Sequence, residues 1–573
     1  MALGYTSSTT DLVVGLKHSA SALAALDRTV RAVSTVGSAT YGAYLDVAAL
    51  DALLAPAQCD AAVVLAWFSE VGCVHVAGGD RFAHTLRCRL TREYTAAAPP
   101  TPPADVASLV DFVVLQRPLF VSRGAVQSAA AGAFASGVTP SQARAQYGLP
   151  ESTRGGGANS SNSQMVWGPG TFGFLRSDLS SFYDQFCTDC KSEGGDGTAL
   201  VSFDTAHHGT PGGDNFDEGT LDTTYISTFG KGVRTVVSNT NTSAATEEGE
   251  GQGIATLVFM EELAARPAAT LPLVLSLSLG SLSSHACADL CARVATHTSG
   301  AVSAAQCHDY LQRKRQLCLY LNDAQTARIE TQLKMLAARG VTVLSASGDG
   351  GSHWTFGKFN PLDGAVARAL NVVGCDRQSD LFPAASPHVL AVGGTMWLQG
   401  DPAAAIGWSD ASGASGGGFS ELWAMPAYQS EAVSSYIAAH TSSAGFAAAG
   451  SYNVTNRAYP DVAAFMDGIP LCTNGRCEVI SGGTSASTPT WGGLISLLNE
   501  ARLAKGLSSL GLVGPRIWAL SESAKAEAFR DITKGDTKCG CDNGFSAAKG
   551  WDAMTGWGEP LWPGLLKHLG SDI

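Results

Sequence analysis

From Thr139 onward the chain alternates short apolar runs with longer amphipathic stretches, and this alternation constrains the fold more than any other feature. It is typical of an α/β fold, in which helices join the strands of a largely parallel sheet. Residues 247–265 and 325–338 are predicted helices. The predicted strands are 164–167, 199–203, 232–237, 273–278, 341–346 and 388–392.

The N-terminal part of the chain has a different and shorter pattern. An apolar strand over 12–16 precedes helical periodicity over 21–33 and 61–70, which predicts a small α+β unit. A Pro-rich run near 97–103 is typical of a stiff linker, and the Ala/Gly/Ser-rich run beyond residue 123 is typical of a flexible, protease-sensitive segment. We therefore expect three parts, residues 1–123, 124–138 and 139–573.

Net charge and hydropathy limit the kinds of partner that the chain is expected to bind. The net charge of −13 gives no electrostatic support for binding nucleic acid. No apolar run approaches the roughly 20 residues of a membrane span. Residues 1–20 lack the basic and apolar regions of a signal peptide. We therefore expect no nucleic-acid partner and no membrane span, and a signal peptide is not visible.

The chain has fourteen cysteines, and several are close in sequence, as in metal sites and in disulfides. No arrangement has the two-pair spacing of a zinc ribbon, and three N-glycosylation sequons occur, at Asn159, Asn241 and Asn453. We therefore predict disulfides in a protein of the secretory pathway and leave their connectivity open. The close pairs are Cys187/Cys190, Cys287/Cys291, Cys472/Cys477 and Cys539/Cys541.

The stretch 481–489, Ser-Gly-Gly-Thr-Ser-Ala-Ser-Thr-Pro, has the composition of a strand-to-helix junction. Val479 and Ile480 end a predicted strand, and Pro489 opens a predicted buried helix. Ser485 would then lie among backbone N–H groups at the positive end of the helix dipole, which can stabilise an alkoxide and a developing oxyanion. The alternative is a Ser/Thr-rich helix cap without chemistry. We predict that Ser485 is a nucleophile.

A serine nucleophile needs a base, and the sequence offers the pair Glu218 and Asp222. The two residues are four apart, so on a helix their carboxylates lie on one face, about one turn apart. Such a pair can share a proton, with Glu218 as general base and Asp222 holding its geometry. The alternative is the solvated acidic face of a helix.

Asp349 follows a predicted strand and lies in a glycine-rich turn, Ser-Gly-Asp-Gly-Gly at 347–351. This position falls at the carboxyl edge of the predicted sheet, where open α/β folds place their active sites. A protonated aspartate there can donate a hydrogen bond to an oxyanion. The alternative is an aspartate in an ordinary turn.

Taken together, these stretches resemble the sedolisin, or serine-carboxyl, peptidase family. The E-x-x-x-D motif of that family falls on Glu218 and Asp222, its S-G-D motif on Asp349, and its G-T-S-x-S motif on Ser485. The resemblance extends over most of the chain, to residue 558. It implies a subtilisin-like catalytic domain with a largely parallel sheet flanked by helices, preceded by an α+β pro-domain.

The resemblance also implies binding residues. The backbone segments that line the substrate groove of the family fall on Ser278, Leu279 and Gly280 and on Gly416, Gly417 and Gly418. The family binds one calcium ion through carboxylates and main-chain carbonyls near its C-terminus. The matching positions here are Asp531, Ile532, Ala548, Gly550 and Asp552, with Ala548 in place of a usual glycine.

The implied activity is that of an acid-acting serine-carboxyl peptidase made as a zymogen and inhibited by its own pro-domain. The resemblance further implies release of tripeptides from free N-termini of peptides or unfolded proteins, a monomer, and a lysosomal or secreted location. Internal cleavage is the alternative, because Ser281 stands where relatives carry acidic residues. An inactive secreted binding protein is a further hypothesis, as is a subtilisin, which His207-His208-Gly209-Thr210 suggests but the residues that follow do not.

Overall fold

The computed structural model describes most of the chain. The described residues are 11–56, 58–77, 85–90, 99–116, 137–191, 198–204, 216–240, 251–311, 318–319, 321–353, 364–410 and 412–572. Most of the predicted segment 124–138, the sequon at Asn241 and the His207–Thr210 stretch lie outside them.

The N-terminal unit is an antiparallel sheet with helices, as predicted. Its strand order is β2-β3-β1-β4, so the first strand lies between two later ones. The strands are β1 (Asp11–Leu16), β2 (Cys73–Ala77), β3 (Thr85–Leu90) and β4 (Val110–Gln116). The helices are α1 (Ala20–Ser34), α2 (Val47–Leu54), α3 (Gln58–Glu70) and α4 (Ala104–Leu109).

The larger unit is built on a sheet in the order β11-β10-β9-β8-β5-β7-β6, with β14 also pairing with β10. All of its pairings are parallel except that of β10 with β11. The sheet strands are β5 (Ser163–Pro169), β6 (Val201–Phe203), β7 (Arg234–Thr240), β8 (Val274–Leu277), β9 (Thr342–Ala346), β10 (Leu390–Trp397), β11 (Ala405–Gly407) and β14 (Val462–Phe465).

Three short antiparallel pairs lie outside this sheet. They are β12 (Gly418–Ala424) with β13 (Asn456–Tyr459), β15 (Ile469–Thr473) with β16 (Arg476–Ile480), and β17 (Phe529–Arg530) with β18 (Glu559–Pro560). The predicted strand before Ser485 is therefore part of the β15–β16 hairpin and not of the main sheet.

Helices surround the main sheet. They are α5 (Pro140–Gln146), α6 (Arg176–Phe186), α7 (Phe216–Phe229), α8 (Gly251–Ala264), α9 (Ser284–His297), α10 (Ala304–Asp309), α11 (Asp323–Ala338), α12 (Gly364–Gly374), α13 (Ser430–His440), α14 (Gly483–Leu503), α15 (Gly514–Trp518), α16 (Glu522–Ala528) and α17 (Trp562–Leu569). Helix α11 begins two residues before its prediction because Asn322 forms a capping box with Gln325.

The two faces of the sheet carry different helices. Because side chains alternate along a strand, Leu344 packs in the same core as Trp491 of α14, whereas Val343 packs in the same core as Leu333 of α11. The second core also contains Val13 and Phe112 of the N-terminal unit. The N-terminal unit therefore docks on the face that α8 and α11 cover.

Six disulfides join the described residues, and closeness in sequence predicts only some of them. Cys187–Cys190 and Cys472–Cys477 are bonded within their pairs. In the close pairs Cys287/Cys291 and Cys539/Cys541 the two cysteines are not bonded to each other. The remaining disulfides are Cys73–Cys88, Cys287–Cys318, Cys291–Cys307 and Cys375–Cys541.

A search of the described residues for membrane spans finds no single helix of sufficient length and hydropathy. The helix pair Val47–Leu54 and Cys59–Glu70, bent by 93°, meets those criteria only when its members are joined. The sequon residues Asn159 and Asn453 are both exposed.

Candidate active site

Ser485 lies in the first turn of α14, directly after the β15–β16 hairpin. The turn into the helix requires glycine at position 483, which has a φ of 64° and no space for a Cβ beside the Asp349 carboxylate. Gly483 thus lets the serine segment approach Asp349 closely. The predicted strand-to-helix junction is present.

Glu218 and Asp222 lie one turn apart on α7, as the spacing predicts. Asp222 is fully buried, and its Oδ1 accepts a hydrogen bond of 2.7 Å from the Ser278 hydroxyl. Its Oδ2 and the Oε1 of Glu218 are buried without a hydrogen-bond partner in the described part of the chain. Two adjacent buried carboxyls with unused acceptor oxygens can hold a shared proton.

The pKa values of both carboxyls in this pair are raised. Burial raises the pKa of Glu218 to about 7, although a hydrogen bond with Ser485 lowers it. Burial and then the neighbouring Glu218 charge raise the pKa of Asp222 well above its ordinary value. The Ser485 hydroxyl also lies 3.3 Å from the carbonyl oxygen of Ser278. The nucleophile, the predicted base and the orienting acid therefore form one network.

Asp349 follows β9 and faces the serine segment. Its Oδ1 accepts hydrogen bonds from the backbone N–H of Thr484, at 2.8 Å, and from the Thr484 hydroxyl, at 2.7 Å. Burial raises the pKa of Asp349, and these hydrogen bonds oppose that shift. The raised pKa favours the protonated form that an oxyanion donor needs.

A cavity of about 390 Å³ opens at Ser485. Glu218 and Asp349 lie on its wall, so the predicted base and the predicted oxyanion donor both face the same space as the nucleophile. Its lining also includes Asp217, Leu221, Trp408, Ser412, Leu471, Ile480, Ser481, Gly482 and Gly483. The cavity has room for a peptide group next to the serine hydroxyl.

The two predicted substrate-binding segments lie on different sides of this network. Ser278 contacts both Asp222 and the Ser485 backbone oxygen, the latter at 3.0 Å. Leu279 and Gly280 follow at partly exposed positions. Gly416, Gly417 and Gly418 are buried, and the Gly416 N–H donates to the Gly348 carbonyl at 2.6 Å. The glycine segment 416–418 is thus hydrogen-bonded to the turn that carries Asp349.

Three of the five predicted calcium ligands, Ala548, Gly550 and Asp552, lie in one C-terminal loop, 548–552, and Asp531 contacts this loop. Asp531 Oδ2 accepts a hydrogen bond from Gly550 N–H, and Asp552 Oδ2 accepts one from Ala548 N–H, both at 3.0 Å. Asp552 is fully buried and Asp531 is exposed. Carboxylates and main-chain carbonyls, the ligand types predicted at Asp531 and Asp552 and at Ile532, Ala548 and Gly550, are those that a hard cation takes.

A different group, Cys187, Asp189 and Cys190, has the spacing of metal ligands. Its two sulfurs form a disulfide, and the Asp189 carboxylate pairs with Lys231. This group is therefore structural.

Several residues that complete the site have no role in the prediction from sequence. Thr484 fixes Asp349, and the Ser278 side chain belongs to the acid network as well as to the predicted groove. Thr484 lies inside the serine motif, so its position was a usable signal. Trp408 follows β11 and Leu471 lies on β15, and no local pattern marks them as cavity residues.

Comparison with known proteins agrees with this geometry. Residues 5–98 match the pro-kumamolisin activation domain. Tripeptidyl-peptidase 1 of Macaca fascicularis is 39% identical over 254 residues, and that of Homo sapiens is 38% identical over 254 residues; each match covers 44% of this chain and 41% of the relative. A structure of Pseudomonas sedolisin (serine-carboxyl proteinase), complexed with two molecules of pseudo-iodotyrostatin, matches with a TM-score of 0.51 at 19% identity, covering 76% of this chain and 99% of that chain.

The chain is therefore similar over part of its sequence to tripeptidyl-peptidase 1 and similar in fold to sedolisin. The structural match confirms the predicted subtilisin-like α/β fold, and the activation-domain match confirms a pro-domain before it. The chain spans about two fifths of the length of the curated relatives that it matches. The domain boundaries at 123/124 and 138/139 and the roles of individual site residues remain predictions.

Proposed function

We propose that this chain is a member of the sedolisin family and the precursor of an acid-acting serine-carboxyl peptidase. The observation that carries the proposal is the meeting of Ser485, Glu218, Asp222 and Asp349, from three separate elements, around one serine hydroxyl. A structural role alone does not account for buried carboxyl oxygens without partners beside that hydroxyl. The names of the curated relatives support the same reaction class.

In the proposed reaction Ser485 Oγ attacks the peptide carbonyl carbon, and Glu218 takes the hydroxyl proton. Asp349, protonated, donates a hydrogen bond to the oxyanion of the tetrahedral intermediate. Collapse of that intermediate breaks the C–N bond, and Glu218 delivers its proton to the leaving amine. Water then attacks the acyl-enzyme with Glu218 again as base, which restores Ser485. Asp222 holds Glu218 in place throughout.

The protonation states that this mechanism needs depend on pH. The pair must keep one proton, and Asp349 must be neutral to donate. Because burial raises the pKa of Asp349, acidification favours the neutral donor and alkalinisation removes it. We therefore propose activity that declines as pH rises through the raised pKa of Asp349.

The finer specificity that we propose is release of tripeptides from free N-termini, as the name of the curated relatives suggests. Internal cleavage is the second candidate, supported by Ser281, which offers no charge for a substrate ammonium group. Hydrolysis of one peptide with a free and with an acetylated N-terminus discriminates them. A tripeptidyl peptidase cleaves only the free form, whereas an endopeptidase cleaves both.

Docking of the N-terminal unit supports latency. Arg328 of α11 is fully buried at this contact, where it pairs with Glu261 at 2.5 Å and donates to the Leu16 carbonyl at 2.7 Å. It also faces Asp111 of β4 at 3.4 Å. Burial raises the pKa of Asp111, and the Arg328 charge opposes that shift.

We therefore propose that the precursor stays latent near neutral pH and cleaves itself within about residues 120–138 when acidified. The mature chain would begin shortly before Val138. Intact mass and peptide hydrolysis of the purified precursor over a pH series test the proposal. Full activity at neutral pH with the N-terminal unit attached would contradict both the latency and the protonated-Asp349 mechanism.

We further propose that Asp531 and Asp552, with the carbonyls of Ile532, Ala548 and Gly550, hold one calcium ion. The ion would neutralise both carboxylates and cross-link two chain segments of the folded protein. The six disulfides and the exposed Asn159 and Asn453 support a glycosylated protein of the secretory pathway, with a lysosomal or secreted location.

A further inference from the structure

A short segment, Gln378–Phe382, connects the two predicted walls of the substrate groove. On one side, Ser281 and Phe382 exchange two backbone hydrogen bonds of 2.9 Å, directly after Gly280. On the other side, the Gln378 side chain accepts a hydrogen bond of 2.9 Å from Phe419 N–H of β12 and donates to the Phe419 carbonyl. The segment therefore fixes the spacing between residues 278–280 and residues 416–418.

Asp380 occupies the middle of this segment and is fully buried. Its Oδ2 accepts a hydrogen bond of 2.8 Å from Glu421 N–H and one of 3.3 Å from the Ser420 hydroxyl. Its Oδ1 is buried without a hydrogen-bond partner within the described ranges. Glu421, whose backbone N–H donates to Oδ2, carries a second, partly buried carboxyl group on which the Asp380 charge acts. A protonated Glu421 can supply the donor that Asp380 Oδ1 lacks.

The charges around the pair come from three other elements or positions. Arg377 directly precedes the Gln378–Phe382 segment, and Arg293 and Asp289 of α9 pair with each other at 2.9 Å. Tyr459 of β13 accepts a hydrogen bond from Leu381 N–H. Burial raises the pKa of Asp380 to about 6. Burial, and then the Asp380 charge, raise the pKa of Glu421 to about 8, although Arg377 and Arg293 oppose the shift.

We propose that Asp380 and Glu421 form a positioning pair that shares a proton at acid pH and thereby fastens β12 to the Gln378–Phe382 segment. When both carboxyls ionise, two like charges lie together in a buried site and the connection loosens. The pair thus couples the shape of the groove to pH independently of the cleft carboxyls. It is distinct from Glu218 and Asp222, which lie on α7.

The sign of the effect on stability follows from linkage. Both pKa values are raised in the folded protein, so folding is favoured at acid pH and this contribution is lost as pH rises through about 6 to about 8. Glu421→Gln keeps a donor for Asp380 at every pH. Asp380→Asn removes the second charge and keeps an oxygen for the Glu421 N–H. Either variant should lose less stability than the parent as pH rises.

The first test needs no enzymatic activity. In the full-length Ser485→Ala precursor, which should not process itself, melting temperatures are measured from about pH 5 to about pH 8 with and without Glu421→Gln or Asp380→Asn. We expect the variants to fall by about 3 °C less than the parent over this range. Glu431→Gln, an exposed carboxylate on α13, is the matched control and should follow the parent. Parallel curves for both pair variants and the parent would overturn the proposal.

The second test rests on the proposed function. In the active enzyme we expect KM to rise several-fold toward neutral pH in the parent and to stay within about twofold in Glu421→Gln, while the pH dependence of kcat is unchanged. Identical KM profiles would refute a positioning role. If the parent protein hydrolyses no peptide at any pH, the proposed function fails, while the melting data still decide whether the pair shares a proton.

Discussion

The cleft and the C-terminal loop each bury an aspartate completely, and they satisfy it in opposite ways. In the cleft, Asp222 receives one hydrogen bond, from Ser278, and its second oxygen has no partner among the described residues. In the loop, both oxygens of Asp552 accept hydrogen bonds, from Ala548, Met554 and Thr555. Burial raises the pKa in both places, to about 7 at Asp552.

The two environments predict different roles, proton transfer for the cleft aspartate and structural support for the loop aspartate. A buried carboxyl with an unused acceptor next to a second acid can hold and transfer a proton. A carboxylate bonded by successive backbone N–H groups holds a loop in one conformation. We therefore expect substitutions in the cleft to remove activity with little effect on folding, and substitutions in the loop to lower stability with little effect on chemistry.

The largest effect is expected for Ser485→Ala, which should lower hydrolysis by about 10⁴-fold or more and prevent self-processing, because it removes the nucleophile. Peptide hydrolysis, intact mass and the melting curve measure this directly. Ser487→Ala, two residues along the same helix, is the control; its buried hydroxyl donates to the Ala464 carbonyl, so it should affect stability before activity. A processed, active Ser485→Ala protein would remove Ser485 from the mechanism.

Glu218→Gln should lower kcat by about 10²–10⁴-fold, since an amide cannot accept the serine proton. The fold should be retained because Gln fits the same space. Glu478→Gln, an exposed residue of the nearby β15–β16 hairpin, should retain activity. Comparable kcat values for Glu218→Gln and the parent would contradict the role of the cleft pair and, with it, the contrast with the loop.

Asp349→Asn should lower kcat by about 10²–10³-fold, because the amide is a weaker oxyanion donor than a carboxylic acid. The raised pKa of Asp349 means that the parent loses this donor as pH rises, so its activity falls on the alkaline side. Asn has no proton to lose, and the residual activity of the variant should depend less on pH in that range. If the activity of the variant fell with rising pH as steeply as that of the parent, a group other than Asp349 would be responsible for the fall.

The smallest effect is expected in the loop. Chelation of metal-loaded protein should lower the melting temperature by several degrees, because an ion bound only to the folded state contributes about 2.7 kcal/mol at a concentration of about 100 Kd. Asp531→Asn should start lower and respond little to the chelator. Asp542→Asn, an exposed carboxylate of the same region, should respond as the parent does. An identical response of all three would place the ion elsewhere.

Local spacing in the sequence was enough to predict much of this protein. The alternation beyond Thr139 predicts the α/β class because strand and helix periods differ, and buried parallel strands must be uniformly apolar. Glu218 and Asp222 could be placed on one face of α7 because four residues make about one helical turn. The strand-to-helix junction at Ser485 likewise follows from its own residues.

Only the tertiary structure decided which of these elements meet. Sheet order brings the Asp349 turn against Thr484, 135 residues away, and places Ser278 against Asp222. It also joins Cys375 to Cys541 and sets Asp380 beside Glu421. No local pattern contains these contacts, because a backbone period fixes neighbours within one element, whereas contacts between elements depend on how helices and strands pack around the whole sheet.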